Sequence, residues 1–260
     1  MAREHYTFGD NDHAAERLAL LARVYEPTTR RWLGAWRWSA PERAVDLGCG
    51  PGYTTELLRE AVGARETWGL DASDAHVRRA RDRLDSSELR FAVHDVTATP
   101  FPVYAVDVVY ARHLLAHLAA PAAALMTWAT VARPGGRLVL EETAALESPD
   151  PVFVDYYAHV GALQRHYGQD TFVGRRLGAI ADRTAWRVER FEVTRVVLDA
   201  RLMATLHAMN LRTWSRDPFA ASAFEPRTIA AMGEALEAVA GGARDAPPVR
   251  GDVGQAVLVR

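Results

Sequence analysis

The sequence is poor in cysteine, and its acidic and basic residues nearly balance. It contains one cysteine, Cys49, which excludes an intramolecular disulfide and a zinc cluster held by several cysteines. Its 31 basic residues, all of them arginine, are balanced by 33 acidic residues, and no basic run occurs. That balance argues against a nucleic-acid-binding surface, so we expect no nucleic-acid partner. We also expect no metal, because there is no cysteine cluster and no nearby acid completes a site with the histidine pair His113 and His117.

Long apolar stretches are also missing. The N-terminal segment MAREHYTFGDNDH is polar and lacks the apolar core of a secretory signal, and no stretch is long enough to cross a bilayer. We therefore expect a cytoplasmic protein with no membrane partner. The chain has 260 residues, of which 49% are hydrophobic. This is enough for one domain with a large core and an appended subdomain.

The chain is organised around the decapeptide AVDLGCGPGY. An apolar run that holds Asp46 is followed by Gly48, Gly50 and Gly52 and then by a helix-like segment. Glycine is required where φ is positive or where the backbone presses against a ligand, and a helix N-terminus presents free N–H groups. The dinucleotide fingerprint would need Gly or Ala at position 53, where Tyr53 stands. The turn therefore predicts a ligand other than a dinucleotide, bound in an α/β domain.

The pattern Asp-x-Gly-x-Gly-x-Gly resembles motif I of the class I S-adenosylmethionine (SAM)-dependent methyltransferases. Three more matches follow in order: Asp71 and Asp95 at the ends of the second and third predicted strands, and an Arg-Pro-Gly-Gly turn at residues 133–136. Together they cover about residues 43–141. The resemblance is to enzymes of the methyltransferase domain 11/25 type, in particular bacterial ones that act on small molecules, often natural products. It implies SAM as the cofactor and S-adenosylhomocysteine as the product.

The same resemblance implies roles for the residues at the strand ends. Asp46 helps to hold the methionine amine, and Asp71 accepts the two ribose hydroxyls. Asp95 and the backbone of Val96 bind the adenine. The alternatives are a helix N-cap for Asp71 and a turn-forming role for Asp95. The implied cofactor residues are Asp46, Gly48, Gly50, Gly52, Asp71, Ala72, Asp95, Val96, Arg112 and Tyr6. For Tyr6, in the helical prefix, packing against the sheet is the alternative.

Alternating strands and helices predict a parallel sheet covered on both faces. With the resemblance, we expect an α/β Rossmann-like three-layer sandwich with seven mostly parallel strands and an antiparallel last strand. The expected divisions are a helical N-terminal cap at 1–40, a SAM-binding core at 41–142, lid helices at 143–185, and the rest of the core at 186–260. This last part carries strands 6 and 7 and further lid helices at 201–240.

The segment after the fourth strand, YARHLLAHL, is the candidate catalytic region. It is predicted to be helical, which places His113 and His117 at i, i+4 on one face. One interpretation makes His113 a general base for a substrate hydroxyl, because imidazole titrates near the working pH. His117 is the second candidate. A metal pair, or a structural pair bonded to the backbone, are the alternatives. Glu141 and Glu142, at the end of the fifth strand, are expected to be solvated, and the alternative is that either of them orients a substrate amine.

The predicted lid supplies candidate substrate contacts. His207, Asn210 and Trp214 recur at i, i+3 and i+7 on one face of an otherwise apolar helix, and Tyr157 lies on an earlier helix. Such a polar stripe predicts a pocket wall, while the alternative is that these residues serve the core.

The expected function is in-line transfer of a methyl group from SAM to an oxygen, nitrogen or carbon of a small molecule in secondary metabolism. An RNA or protein methyltransferase and a SAM-binding protein without transfer activity are the alternatives. The partner is then a small-molecule substrate, and the protein is a monomer or homodimer.

Overall fold

The computed structural model describes residues 12–84 and 86–260. Seven strands form one sheet in the order β3-β2-β1-β4-β5-β7-β6. They are β1 (Arg43–Leu47), β2 (Glu66–Asp71), β3 (Leu89–Val93), β4 (Val106–Arg112), β5 (Ala132–Glu147), β6 (Arg187–Leu198) and β7 (Val249–Val259). The first five strands pair in parallel, and β7 inserts antiparallel between β5 and β6. The predicted mostly parallel sheet with an antiparallel last strand is confirmed.

Nine α-helices occur in the described part of the chain. They are α1 (Asp12–Gly34), α2 (Tyr53–Val62), α3 (Asp74–Leu84), α4 (Pro121–Ala129), α5 (Pro151–His166), α6 (Leu177–Ala181), α7 (Ala200–Trp214), α8 (Pro218–Ala223) and α9 (Pro226–Ala240). Two 3-10 turns lie at Leu115–His117 and Val173–Arg176. None of these helices combines the length and the apolar character needed to cross a lipid bilayer.

Helices cover both faces of the sheet. On one face, α2 and the C-terminal part of α1 pack on residues such as Ala44 and Tyr110. On the other, α4 and α6 pack on Val45, Leu138 and their neighbours. Side chains alternate between the two faces along each strand, and the central strands β1 and β4 are buried on both faces. The result is three layers, with the carboxyl ends of β1 to β4 at one edge.

A second apolar cluster lies beyond that edge. It is built from α5, α7 and α9 together with the outer ends of β5, β6 and β7. Here Trp214 and Phe153 are fully buried, and α7 packs along α9 and against α1. The helices of this cluster thus form a core of their own beside the sheet.

Three local features differ from what sequence rules suggest. A proline commonly opens a helix, which would divide this segment at Pro27, but α1 continues through it. An internal proline costs about 3 kcal/mol, and burial of Tyr25 and Trp32 on either side offsets that cost. β5 begins at Ala132 rather than after the Pro-Gly-Gly segment, which forms an irregularity in its pairing with β4. The short helix α8 was not foreseen.

Candidate active site

The glycine turn after β1 has the backbone that its sequence predicts. Gly48, Gly50 and Gly52 have φ values of 68°, 53° and 84°, in the left-handed region that favours glycine. The N–H groups of Gly48 and Cys49 both donate to the carbonyl of Leu70, at 2.8 and 3.0 Å, which fixes the turn to β2. A Cβ at Gly52 would lie 3.0 Å from the Phe91 ring. The turn therefore depends on glycine both for conformation and for space.

Asp46 lies below this turn and points into the protein. Its carboxylate accepts hydrogen bonds from the hydroxyls of Thr54, at 2.5 Å, and Thr55, at 2.8 Å. Burial raises the pKa of Asp46 to about 7, against the lowering effect of the two hydroxyls and of Arg112. Asp46 thus ties the end of β1 to the first turn of α2. Contact with a methionine amine stays a prediction.

A cavity of about 730 Å³ opens above the turn, at the carboxyl edge of the parallel strands. Nine of the residues proposed from the sequence lie in its wall. They are Gly48, Gly50, Asp71, Ala72, Asp95, Val96, Arg112, His113 and His117. Asp46 and Gly52 support the wall from behind, and Tyr6 lies outside the described residues. The strand ends therefore bring together residues that are far apart in the sequence, and their roles toward a ligand stay predictions.

The two acids of the wall are held by backbone N–H groups. Asp71 accepts from Gly50, at 2.9 Å, and from Ser73, at 2.8 Å, so its carboxylate links the glycine turn to the end of β2. Asp95 accepts from the N–H and the hydroxyl of Thr97, at 2.9 and 2.7 Å. Both carboxylates are thus fixed in place at the cavity.

Helix α1 covers the other side of the cavity. Leu18 lies over the turn, with its Cδ1 atom 3.3 Å from the position that a Cβ on Gly50 would take. Arg17, only 3% exposed, also lies in the wall. Arg17 was not among the predicted site residues. The signal that could have identified it is a cation on the apolar face of a helix, three residues after the buried Ala14.

His113 follows β4 in an unusual backbone conformation, with φ of 52°. Its N–H donates to the Glu141 carbonyl at 2.9 Å, its Nδ1 lies 3.5 Å from the Thr143 hydroxyl, and its ring meets that of Tyr25 edge-on at 4.7 Å. Burial, together with the charge of Arg112, lowers the pKa of His113 to about 3. Left-handed φ at a non-glycine residue is a form of strain that often marks functional sites.

The two histidines do not share an α-helix face, contrary to the prediction. Only a 3-10 turn, Leu115–His117, follows His113. Burial and the charge of Arg17 lower the pKa of His117 to about 4. Both imidazoles are therefore neutral at neutral pH, and neither has the pKa near 7 on which the general-base hypothesis rested.

Two buried glutamates support this segment, although the sequence suggested a solvated strand end. Glu142 accepts from the N–H groups of Leu114 and Leu115, at 2.8 and 2.6 Å, and burial raises its pKa to about 8. Glu141 accepts from the Tyr110 hydroxyl, at 2.8 Å, and from the Gln255 amide, at 2.7 Å. The interior of β5, which continues to Glu147, thus holds the backbone of the segment that carries His113 and His117.

The four predicted substrate contacts do not lie in the wall of this cavity. His207, Asn210 and Trp214 are buried where α7 packs on α5. The His207 ring stacks on Tyr156 at 4.1 Å, and its Nε2 lies 3.1 Å from the hydroxyl of Tyr157. Tyr157 instead borders a second cavity of about 640 Å³, beside residues 168–172. These side chains form a polar patch within the helical core.

Residues 45–140 match the family model of the methyltransferase domain. This segment is a methyltransferase domain. The chain is 35% identical over 147 residues to trans-aconitate 2-methyltransferase of Methylobacterium radiotolerans, a match that covers 56% of this chain and 55% of the relative. It is 32% identical over 152 residues to 27-O-demethylrifamycin SV methyltransferase of Amycolatopsis mediterranei, in a match that covers 56% of this chain and 53% of the relative.

The fold is similar to that of a solved structure, geranyl diphosphate C-methyltransferase from Streptomyces coelicolor A3(2), in complex with Mg²⁺, geranyl diphosphate and S-adenosyl-L-homocysteine. The TM-score is 0.55 at 15% identity, and the match covers 98% of this chain and 89% of that one. The likeness extends beyond the methyltransferase domain to the helices around it. The chain spans about half the length of the curated relatives that it matches.

Proposed function

We propose that this protein binds SAM in the cavity above the glycine turn and transfers its methyl group to a small molecule. The observation that carries the proposal is the meeting of three elements at one cavity: the left-handed glycine turn, Asp71 and Asp95. The match of residues 45–140 to a methyltransferase domain supports it, as does the S-adenosyl-L-homocysteine named with the similar structure.

The wall residues fit such a ligand. Asp71 and Asp95 are carboxylate acceptors at neighbouring strand ends, suited to the ribose hydroxyls and the adenine amino group. Gly50 brings the backbone to the cavity surface without a side chain, and Arg112 provides a cation for a carboxylate. SAM supplies a methyl group on a positively charged sulfur that a nucleophile can attack. The protein contributes by holding the two reactants close together and by excluding water.

A small acceptor fits this site better than a macromolecule. Leu18 and Arg17 of α1 cover the turn from above, and the 3-10 turn with His117 closes another side. The two relatives are named for the small molecules trans-aconitate and 27-O-demethylrifamycin SV, which supports a small acceptor and, as part of the proposal, a role in secondary metabolism. An RNA or protein acceptor would require an open surface at this edge of the sheet. Binding of SAM without methyl transfer is the remaining alternative.

Calorimetric titration tests the cofactor. We expect S-adenosyl-L-homocysteine to bind with a stoichiometry of one and NAD to show no measurable heat. Preference for NAD would overturn the cofactor assignment. The transfer step is then tested with methyl-labelled SAM and small-molecule extracts. Tight binding with no labelled acceptor in any extract would favour the alternative without transfer.

A further inference from the structure

We infer that two copies of this chain associate through the outer edge of β6, so that their seven-stranded sheets become continuous. This inference concerns assembly and does not depend on the proposed function. β6 is the last strand of the sheet and pairs along its length with β7. On its other side, no strand among the described residues pairs with it. Every second residue of β6 therefore directs an N–H and a C=O outward, where another strand can bond to them.

One face of this edge carries exposed apolar side chains. Phe191, Val193 and Val197 are 39%, 48% and 72% exposed, and they make up three of the eight large apolar side chains that are exposed in the described part of the chain. They stand at alternate positions of the strand and so lie on one face of the sheet. Aromatic and β-branched side chains stabilise a sheet by packing against each other across neighbouring strands. The edge therefore offers both backbone groups and side chains to a further strand.

Charge does not block the edge. Exposed edge strands often carry charged side chains that keep other strands away. On β6, however, Arg190 donates to Glu192 at 2.9 Å, and Arg195 donates to Asp252 of β7 at 3.0 Å. These charges are thus balanced within the chain, which leaves the apolar side chains as the main feature of the edge.

The regular part of β6 is complementary to itself. Its register with β7 shifts before Arg190 and is unbroken from there to Leu198. A two-fold axis perpendicular to the sheet pairs this segment antiparallel with its own copy. With the axis at the central residue, Thr194, every residue of the segment has a partner in the second copy. Phe191 then faces Val197 of the second copy, and this apolar pair occurs twice by symmetry.

Charge also favours this register. With the axis at Thr194, Val193 faces Arg195 of the second copy, whose aliphatic stem can pack on it. Glu192 then faces Val196, so no like charges stand opposite each other. An axis at Glu192 or at Arg195 would place a charge against its own copy, and an axis at Val193 would pair a shorter regular segment. Since each chain has one such edge, association closes at two copies.

Sedimentation equilibrium of the full chain tests the association. We expect the average mass to rise from that of one chain toward that of two when the protein concentration is increased about 100-fold. The pairing of a single strand is smaller than a standard interface of about 20–30 residues a side, so the dimer should be weak. A mass that stays at one chain up to about 1 mM protein, or that grows beyond two chains, would overturn the inference.

Disulfide trapping tests the register. Directly opposite residues of an antiparallel pair have Cβ atoms about 4.5–5.5 Å apart, close enough for a disulfide after a small adjustment. A mixture of Phe191→Cys with Val197→Cys should therefore give a cross-linked dimer under mild oxidation. Neither variant alone should do so, because each position lies far from its own copy. The matched control is a mixture of Phe191→Cys with Val193→Cys, which should not cross-link. The native thiol, Cys49, is buried and does not compete.

Opposite charges at one exposed position test the complementarity. Because Val193 faces Arg195 of the second copy, Val193→Lys should weaken association by at least about 10-fold. Val193→Glu should preserve or strengthen it, although it adds the same amount of charge at the same place. Val154→Lys, at a valine of α5 that is 52% exposed, controls for net charge and should leave association unchanged.

The outcomes locate the interface. Dimers that form without a cross-link between positions 191 and 197 would use another surface and would overturn the inference. Equal weakening by Val193→Lys and Val193→Glu would contradict the pairing with Arg195. The mass measurement uses the wild-type protein, and the substituted side chains are exposed, so the result does not depend on variants with a disturbed core.

Discussion

The two sides of the central cavity are built in different ways. The acidic side is made by short local motifs, a glycine turn and acids at the ends of β2 and β3, and its geometry is fixed by backbone hydrogen bonds. The basic side is assembled from Arg17 on α1 and from the segment after β4, which rests on Glu142 of another strand. Contacts on both sides join residues that the sequence separates, but only on the acidic side does each of these residues belong to a local motif.

This difference has a functional consequence. A side built from backbone and strand ends suits a ligand that stays the same throughout a family of proteins. A side built from long side chains can change with single substitutions, since arginine adapts its position without altering the fold. We therefore expect substitutions on the acidic side to affect stability and cofactor together, and substitutions on the basic side to affect the acceptor alone.

The largest effect is expected at the glycine turn. Gly52→Ala would place a Cβ 3.0 Å from the Phe91 ring at a φ of 84°, and the two effects should lower the free energy of unfolding by about 2–5 kcal/mol. Gly63→Ala is the matched control, because its φ is 67° but nothing lies within 4 Å of the new atom. It should cost about 1–2 kcal/mol. Urea denaturation of both variants measures the difference, and equal losses would show that crowding is irrelevant.

The next effect concerns the carboxylate that braces this turn. Asp71→Asn should weaken S-adenosyl-L-homocysteine binding by about 1.5–3 kcal/mol, because a charged acceptor is replaced by a neutral amide. Asp74→Asn, three residues later at an exposed ion pair with Arg78, should leave the affinity unchanged. Calorimetric titration compares the two. An Asp71→Asn variant with wild-type affinity would contradict the assignment of this side to the cofactor.

A smaller effect is expected at Glu142, which supports the basic side, and it concerns the dependence of stability on pH. Glu142 has a pKa of about 8 when folded against an ordinary 4.5, so the folded protein keeps a proton that the unfolded chain releases. Its contribution to stability is fully present below about pH 4.5 and is lost as the pH rises through about 8. The lowered pKa values of His113, His117 and His207 give the opposite slope, but only below about pH 6.5.

Glu142→Gln should therefore flatten the loss of stability between about pH 6.5 and 8, by up to about 1.4 kcal/mol per pH unit. Asp46, whose pKa is about 7, adds a similar slope in the lower part of this window and remains in the variant. Glu147→Gln, at the exposed end of the same strand, controls for the change in charge. Denaturation at several pH values measures the slopes, and identical slopes in both variants would remove Glu142 as the cause.

The smallest effect is expected at the polar patch of the helical core, around His207 and Tyr157. His207→Phe keeps the stacking on Tyr156 and loses one hydrogen bond to Tyr157, so stability should fall by about 0.5–1.5 kcal/mol. Tyr157→Phe and the double variant should show that the two losses are not additive. Neither ligand's affinity should change. A weaker affinity for an acceptor at unchanged stability would extend the basic side to α7.

The sequence was sufficient to predict the acidic side because its signals are local. β1, α2 and β3 begin and end where the apolar runs, glycines and acids indicate. The prediction of a helix after β4 was wrong for the opposite reason. The spacing of His113 and His117 is a local signal for a helix, but the distant Glu142 accepts hydrogen bonds from the N–H groups of Leu114 and Leu115. A distant carboxylate thus outweighed the local preference.

Long-range packing also determines surroundings that the sequence alone does not reveal. Polar residues at helical spacing on α7 suggested a pocket, yet α5 covers that face and buries His207 and Trp214. Arg17 was missed because only the position of α1 over the glycine turn brings it to the cavity. Helical periodicity identifies the buried face of a helix, but it does not identify what lies opposite.

The position of Cys49 gives the protein a chemical reporter of its own. This thiol is the only one in the sequence, lies between Gly48 and Gly50, and is 4% exposed. Burial, with the nearby carboxylates of Asp71 and Asp46, raises its pKa well above the usual range. Thiol reagents are attacked by the exposed thiolate, so labelling must wait for the turn to open. The rate at which the Cys49 sulfur is modified therefore reports how often the turn opens. A ligand bound at the turn should lower that rate.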